Sequence, residues 1–193
     1  NILHDTRNGN PMNGNLIIKN AAELVTCSGF AAKKGAEMTD LNIIENGGVI
    51  IKEGVITAVD SSKNIEAQLN STGEDYSDYD IIDARGKAVL PGFVDSHTHL
   101  VFGGYRAEEF AWRLRGDSYM QIMQRGGGIV NTVNATRQAS AEELMRSGIK
   151  RLNSMLSFGV TTVEGKSGYG LNCETEIKQL DVLARLNQIH YLD

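Results

Sequence analysis

The pattern of apolar and polar positions changes character near residue 90. Between Asn15 and Leu90 the apolar residues come in short bursts bounded by polar ones: NLIIKN, AELVTC, GGVIIKEGVITAVD and IIDARGKAVL. Runs of this length, rich in Ile and Val and punctuated by Gly, Asn and Asp, predict strands. Glu53-Gly54 between two such runs predicts a hairpin, with the glycine taking the positive φ. Residues 61–80 are polar and predict a surface excursion after a brief helix. The stretch 15–90 thus reads as a small β unit, preceded by a loose leader at 1–14 that is rich in Asn and Gly.

After Pro91 the apolar period lengthens. PGFVD predicts a strand, residues 108–114 have helical propensity, and 118–124 place Tyr119, Ile122 and Met123 at helical spacing. Gly126-Gly127-Gly128 then interrupts, and reads more readily as a turn than as a ligand cradle. Ser140 with Glu143 three residues on predicts a capping box. The helix it starts should run to about Ser157, with Leu144, Ile149, Leu152 and Leu156 on its apolar face and Gly159 closing it. VTTVE at 160–164 predicts a strand, 165–171 a loop, and 174–187 a helix with Ile177, Leu180, Leu183 and Ala184 on one side. IHYL then begins a third strand. Strands alternating with helices predict a parallel sheet with helical crossovers. The loops after His99 and Glu164 leave the C-terminal ends of strands, where (β/α) barrels keep their active sites. Two and a half units cannot close an eight-stranded barrel, so the chain reads as part of a barrel or as a smaller fold.

The chain has 193 residues, 41% hydrophobic and 22% charged, the make-up of an ordinary soluble globular protein. A formal charge of −5 argues against a nucleic-acid groove. No apolar run approaches the ~18 residues of a membrane span, so no membrane partner is expected. The start has neither an initiator Met nor the layout of a signal peptide, and reads as processed or incomplete. Cys27 and Cys173 are too few and too far apart for a disulfide framework, which suits a reducing cytoplasm.

The candidate chemistry lies in His97-Thr98-His99. Side chains alternate along a strand, so His97 and His99 share a face with Phe93 and Asp95, while Val94, Ser96 and Thr98 face the other way. Two imidazoles on one face can take neighbouring positions on one metal ion. The alternative on spacing alone is a chance pairing of two surface histidines.

PGFVDSHTH at 91–99 resembles the first barrel strand of the amidohydrolase superfamily, metal-dependent hydrolases that often carry a small β-sandwich beside the barrel. HTHLVFGGYR at 97–106, GGGI at 126–129 and TTVEGKSGYGLNCETE at 161–176 narrow the resemblance to the imidazolonepropionase family. It covers residues 15–193, and KSGYGL is its most specific part. The fold it implies is α/β: a small N-terminal β-sandwich at 15–90 and the first βα units of a (β/α)8 TIM-type barrel at 91–193, incomplete in this chain. His97 and His99 would ligate one zinc or iron ion. Arg106, whose planar fork suits a propionate carboxylate, and Tyr169 would contact the substrate, with Tyr119 also lining the pocket.

The implied reaction is metal-dependent hydrolysis of the cyclic amide of 4-imidazolone-5-propanoate to N-formimidoyl-L-glutamate, a step of histidine degradation in the cytoplasm. The family's third histidine, its aspartate ligand and its acid/base glutamate find no match here. The chain is therefore expected to be the N-terminal portion of a longer enzyme, inactive alone. Exposed strand edges would favour association, a homodimer included.

Bland readings stand beside these. Arg106 could be a solvated loop charge and Tyr169 a packing aromatic. Lys166 and Glu164 read as structural or supporting, and His4 and His190 as unrelated to the metal. At the level of the whole chain, another amidohydrolase acting on a different ring, or a non-catalytic binding module, are the alternatives.

Overall fold

A computed structural model describes residues 14–193 except 28 and 30, so the leader, apart from Gly14, and His4 lie outside the described residues. The chain divides into two units, Asn1–Pro91 and Gly92–Asp193.

In the first unit, strands β1 (Leu16–Val25), β2 (Ile43–Lys52), β3 (Val55–Ser61), β4 (Asp80–Asp83) and β5 (Ala88–Val89) form one sheet of order β3-β2-β1-β4, with β5 also on β1. β1 pairs antiparallel with β2 and parallel with β4 and β5. NLIIKN and AELVTC, which read as two strands, are one strand broken by a bulge at Asn20, where φ is 59°. The bulge has a dedicated partner: Asn20 N–H donates to Ser62 Oγ at 2.8 Å, and that hydroxyl donates to the Gly47 carbonyl at 3.0 Å. Glu53 and Gly54 form the expected hairpin with positive φ at both residues, 50° and 79°, as a two-residue turn of the twist-matched type requires. The 61–80 segment is less of an excursion than its polarity suggests. Its helix α1 (Ser62–Thr72) buries Ile65 and Leu69 against Ile17, Ile50 and Tyr79.

In the second unit, β6 (Phe93–Thr98) pairs parallel with β7 (Val160–Gly165), with Thr98 opposite Gly165. Helices α2 (Ala107–Leu114), α3 (Tyr119–Gln124), α4 (Ile129–Gln138) and α5 (Ala141–Ser157) make the crossover, and α6 (Cys173–Ile189) follows β7. IHYL, expected to begin a third strand, does not form one: Ile189 ends α6, and only Asp193 meets β7, its N–H donating to the Thr161 carbonyl at 3.1 Å and its carbonyl accepting from Val163 N–H at 2.7 Å. Those bonds use the edge of β7 opposite β6, because Thr161 and Val163 point their backbone groups away from it. Nearby, His190 Nδ1 accepts from Leu192 N–H at 3.1 Å, which leaves its ring proton on Nε2, 3.1 Å from Asn153 Oδ1.

The core of this unit is Leu100, Val101, Leu144, Leu152, Val182, Leu186 and Leu192. Gly148, in the middle of α5, permits the packing: a Cβ there would lie 2.6 Å from Leu186 Cδ1. One expectation about a helix face needs correction. The 174–187 helix does not bury Ile177 and Leu180, which are 51% and 49% exposed; it buries Thr175, Gln179, Val182 and Leu186. The buried stripe includes two polar residues, so counting apolar side chains selected the wrong face. Helix α4, for which the sequence reading gave no element, buries Thr132, Val133 and Thr136 and leaves Ile129 and Val130 exposed. No helix among the described residues is long and apolar enough to cross a membrane.

The capping box predicted at Ser140 is present. Ser140 Oγ accepts from Glu143 N–H at 3.2 Å, and Glu143 Oε2 accepts from Ser140 N–H at 2.8 Å. That bond from Ser140 N–H, with the Ser140 hydroxyl, holds the Glu143 carboxyl below its ordinary value. A carboxyl whose folded pKa is depressed stabilises the fold above its unfolded pKa and loses that contribution as pH falls through the folded one. Ser140→Ala removes the N-cap acceptor of Glu143 N–H and the hydroxyl's bond to the Glu143 carboxylate, and the lost cap should cost about 1 kcal/mol in thermal or urea unfolding at pH 7. The difference between variant and wild type should shrink as pH falls below the ordinary carboxyl value of 4.5.

Candidate metal centre

The parallel pairing of β6 and β7 brings their C-terminal ends side by side, and the candidate residues gather there. His97 lies in β6, and His99 lies one residue past its end rather than within the strand. The two rings nevertheless stay close, with centroids 5.6 Å apart in an edge-on arrangement. The Tyr169 ring stands 5.3 Å from His99 on the other strand's loop, and Phe102 is 5.7 Å from Tyr169. Tyr105 continues the series at 6.3 Å from Phe102. The Tyr169 hydroxyl has no hydrogen-bond partner among the described residues.

What fixes these rings is backbone packing on both sides. Leu100 and Val101, directly after His99, are core residues at 5% and 0% exposure, so the end of the strand is anchored where the histidines leave it. Thr98 Oγ donates to the Glu164 carbonyl at 2.9 Å, and Lys166 N–H to the Thr98 carbonyl at 2.9 Å. Gly168 closes on the Cε1–Nδ1 edge of the His99 ring: at φ 141°, a Cβ there would meet His99 Cε1 at 3.0 Å and Nδ1 at 3.2 Å. Lys166 and Glu164 form an ion pair. That lysine, with a smaller contribution from the charge of His97, holds the Glu164 carboxyl low against the effect of burial.

These residues fit a metal ion. His99 Nδ1 is buried with no hydrogen-bond partner, so the protein leaves the polarity of that ring unspent. A second imidazole stands beside it, and neutral imidazole is the commonest metal-binding side chain. Among the described residues no group of three or more His, Cys, Asp or Glu could hold an ion, so the two histidines stand as a pair.

The remaining candidates are placed differently. Arg106 is the residue before α2 and reaches Glu109 at 3.9 Å, an ion pair in which the arginine is 44% exposed and the glutamate buried. Glu109 in turn accepts from Gly128 N–H at 2.6 Å, so the glycine run at 126–128 serves as a turn fastened to α2. Tyr119 opens α3 at 57% exposure, with no ring contact to His97, His99 or Tyr169.

Sequence reading missed the side chains that hold the loops. Arg151, from α5, lies over the Phe102 ring at 3.6 Å and donates to the carbonyls of Leu100 and Phe102 at 2.8 and 3.1 Å. Gln179 Nε2 donates to the Val101 carbonyl at 2.6 Å. Arg137, from α4, reaches the carbonyls of Gly170 and Leu171 at 2.7 and 3.3 Å. Glu176 Oε1 accepts from the N–H groups of the same two residues, at 2.7 Å each. Only Glu176 lies inside a motif the sequence singled out. The others are far from the loops they serve, and no local pattern marks them.

Comparison with known proteins gives three findings. The sequence model of the amidohydrolase family matches residues 80–143. Over 180 residues the chain is 57% identical to imidazolonepropionase of Clostridium tetani, covering 93% of this chain and 42% of that protein. To imidazolonepropionase of Parabacteroides distasonis it is 55% identical over 181 residues, covering 94% and 42%. The chain thus spans about two fifths of the length of the curated relatives it matches. Among solved structures it is similar to A. niger ochratoxinase, with a TM-score of 0.52 at 16% identity, covering 90% of this chain and 28% of that one. Triazine hydrolase from Arthobacter aurescens gives 0.50 at 18% identity, covering 90% and 34%. At such identities the likeness concerns the fold.

Arg151→Ala removes a cation–ring stack and leaves two carbonyls short of a donor. The expected cost is about 3 kcal/mol, read as a lower urea midpoint of the full-length protein. Arg151→Lys keeps the charge but not the planar stack and should recover less than half of it.

Proposed function

Starting from a chain that belongs to the imidazolonepropionase family, we propose that the protein hydrolyses the cyclic amide of 4-imidazolone-5-propanoate, giving N-formimidoyl-L-glutamate in histidine degradation. The observation that carries the reading is the meeting of His97, His99 and Tyr169 at the C-terminal ends of two parallel strands. In this reading Gly92–Asp193 is the start of a (β/α)8 barrel, and the sheet of residues 15–90 is part of a small β-sandwich. The bonds of Asp193 to the free edge of β7 support the first, since they continue the parallel sheet.

His97 and His99 would hold one zinc or iron ion, both of which suit imidazole. Such an ion, when bound, supplies Lewis acidity towards water and the ring carbonyl. The chain's own residues then bind and orient. Arg106 offers a planar guanidinium to the propionate carboxylate, where a charge-assisted pair fixes both position and direction. The Tyr169 hydroxyl, without a partner among the described residues, donates to the polar edge of the substrate ring. Phe102 and Tyr169 give an apolar wall that keeps bulk water from the reacting carbonyl. Tyr119, on its own helix, would enter as an outer contact. No described residue takes the acid/base role. The protein is read as a cytoplasmic enzyme, in keeping with the free thiols of Cys27 and Cys173.

The test is an assay of the full-length protein with 4-imidazolone-5-propanoate and metal analysis of the same preparation. His97→Ala should lose both bound metal and turnover. Arg106→Ala should raise KM by roughly 10–100-fold with a smaller change in kcat, the cost of one charged hydrogen-bonded contact. A metal-bearing protein that ignores this substrate would reject the substrate assignment. Absence of both metal and turnover would reject the whole reading.

A further inference from the structure

The loop between β7 and α6 is held in an unusual way. At Gly170 and Leu171 the two N–H groups converge on Glu176 Oε1, at 2.7 Å each, while the two carbonyls receive Arg137 Nε at 2.7 Å and Nη2 at 3.3 Å. A carboxylate thus takes the donors of these peptides and a guanidinium takes their acceptors, so neither side is left to water. Burial pushes the Glu176 carboxyl up, but hydrogen bonds from the Ser167 hydroxyl and from the N–H groups of Leu171, Gly170 and Gly168 outweigh it and hold the carboxyl below its ordinary value. The grip sits where the backbone is least comfortable: Leu171 has φ of 52°, a conformation that side-chain-bearing residues rarely adopt. Gly170 is pressed so closely onto α6 that a Cβ would lie 2.7 Å from Thr175 Cβ and 2.8 Å from the Glu176 nitrogen.

One and two residues before the gripped peptides stand Tyr169 and Gly168. Tyr169 puts its ring beside His99, and Gly168 closes on the Cε1–Nδ1 edge of that ring. A loop of this length, left free, would sample many conformations in which neither contact forms.

We propose that Glu176 and Arg137 are positioning residues of this site, a clamp of opposite charges that fixes the 167–171 loop so that Gly168 and Tyr169 hold the His99 ring and aim the Tyr169 hydroxyl. The proposal rests on the reading of His97 and His99 as metal ligands and of Tyr169 as a substrate contact. It differs from a purely structural role, in which Glu176 would only secure the first turn of α6 and its loss would lower stability without touching the site.

The experiment compares full-length wild type, Glu176→Gln, Tyr169→Phe and the double variant, by amide hydrogen exchange over residues 167–172, by zinc affinity in chelator competition, and by KM and kcat. In Glu176→Gln exchange of the loop should accelerate, zinc should bind about tenfold more weakly, and KM should rise more than kcat falls. In the Tyr169→Phe background Glu176→Gln should add little to KM, because the group it aims is gone. Additive KM losses in the double variant, or a loosened loop with unchanged zinc affinity, would overturn the clamp. Should Glu176→Gln fail to fold, Arg137→Ala releases the same peptides from the carbonyl side and is read in the same way. A wild type that binds zinc through His97 but does not turn over 4-imidazolone-5-propanoate would sink the substrate assignment, while the zinc and exchange readouts still decide the clamp. A wild type that binds neither zinc nor iron overturns the clamp together with the reading beneath it.

Discussion

Two parallel strands that end level with each other set the terms for everything at this site. Thr98 lies opposite Gly165, and the last rung is the bond from Lys166 N–H to the Thr98 carbonyl at 2.9 Å. Because the strands run the same way, the chain leaves both at the same end. The histidines that close β6 and the tyrosine loop that follows β7 therefore meet without a long excursion. An antiparallel pair would have sent them to opposite ends of the sheet. The requirement that goes with parallel pairing is a crossover, and helices α2 to α5 supply it, with α5 and α6 closing over the core.

Loops that leave a sheet lose the ladder that satisfies their peptide groups, and buried peptides without partners are costly. Here the helices replace the ladder. Arg151 from α5 takes the carbonyls of Leu100 and Phe102, and Gln179 from α6 takes that of Val101. Lys178 donates to the carbonyls of Thr136, Arg137 and Ala139, which ties the end of α4 to α6. Thr136 accepts from Gly103 N–H at 3.0 Å. The polar residues on the inner faces of α4 and α6 are thus the means by which the helical layer reads and fixes the loop backbone, which is why those faces are not apolar.

The same fact explains what could be read from the sequence. The strand carrying the histidine pair, the hairpin at Glu53-Gly54 and the capping box at Ser140 are local devices, each spelled out within a few residues. His99 stands one residue past the end of its strand; the hairpin and the capping box appear in the structure where their spacing puts them. So do the alternation of strands and helices after Pro91 and the parallel pairing it demands. The misreadings have one cause. A periodic count of apolar residues assumes that the buried face is the apolar one, and α6 buries Gln179 while exposing Ile177 and Leu180. Helix α4 was invisible for the same reason. At the site, His97, His99 and Tyr169 lay within recognisable motifs. The arginines that secure their loops act across 33 residues from Arg137 to Gly170 and 51 from Arg151 to Leu100, distances over which only the folded chain makes them neighbours.

Placement and affinity are separable at such a site, and these residues govern the first. His99 is directed by the core residues that follow it, by Gly168 at the edge of its ring and by Tyr169 beside it. None of these supplies a negative charge or a further donor. Two neutral imidazoles leave a divalent ion's charge uncompensated and half of a tetrahedral coordination set unfilled. Affinity in the proposed enzyme must then come from ligands outside the described residues. The accuracy with which those ligands need to arrive is set here, because a rigid pair accepts an ion in few positions. A loop that let His99 turn would enlarge that range and weaken every remaining ligand bond at once. In the proposed enzyme the second unit's polar contacts would matter to the chemistry as directly as the histidines, since they would set where an ion can sit before any other ligand reaches it.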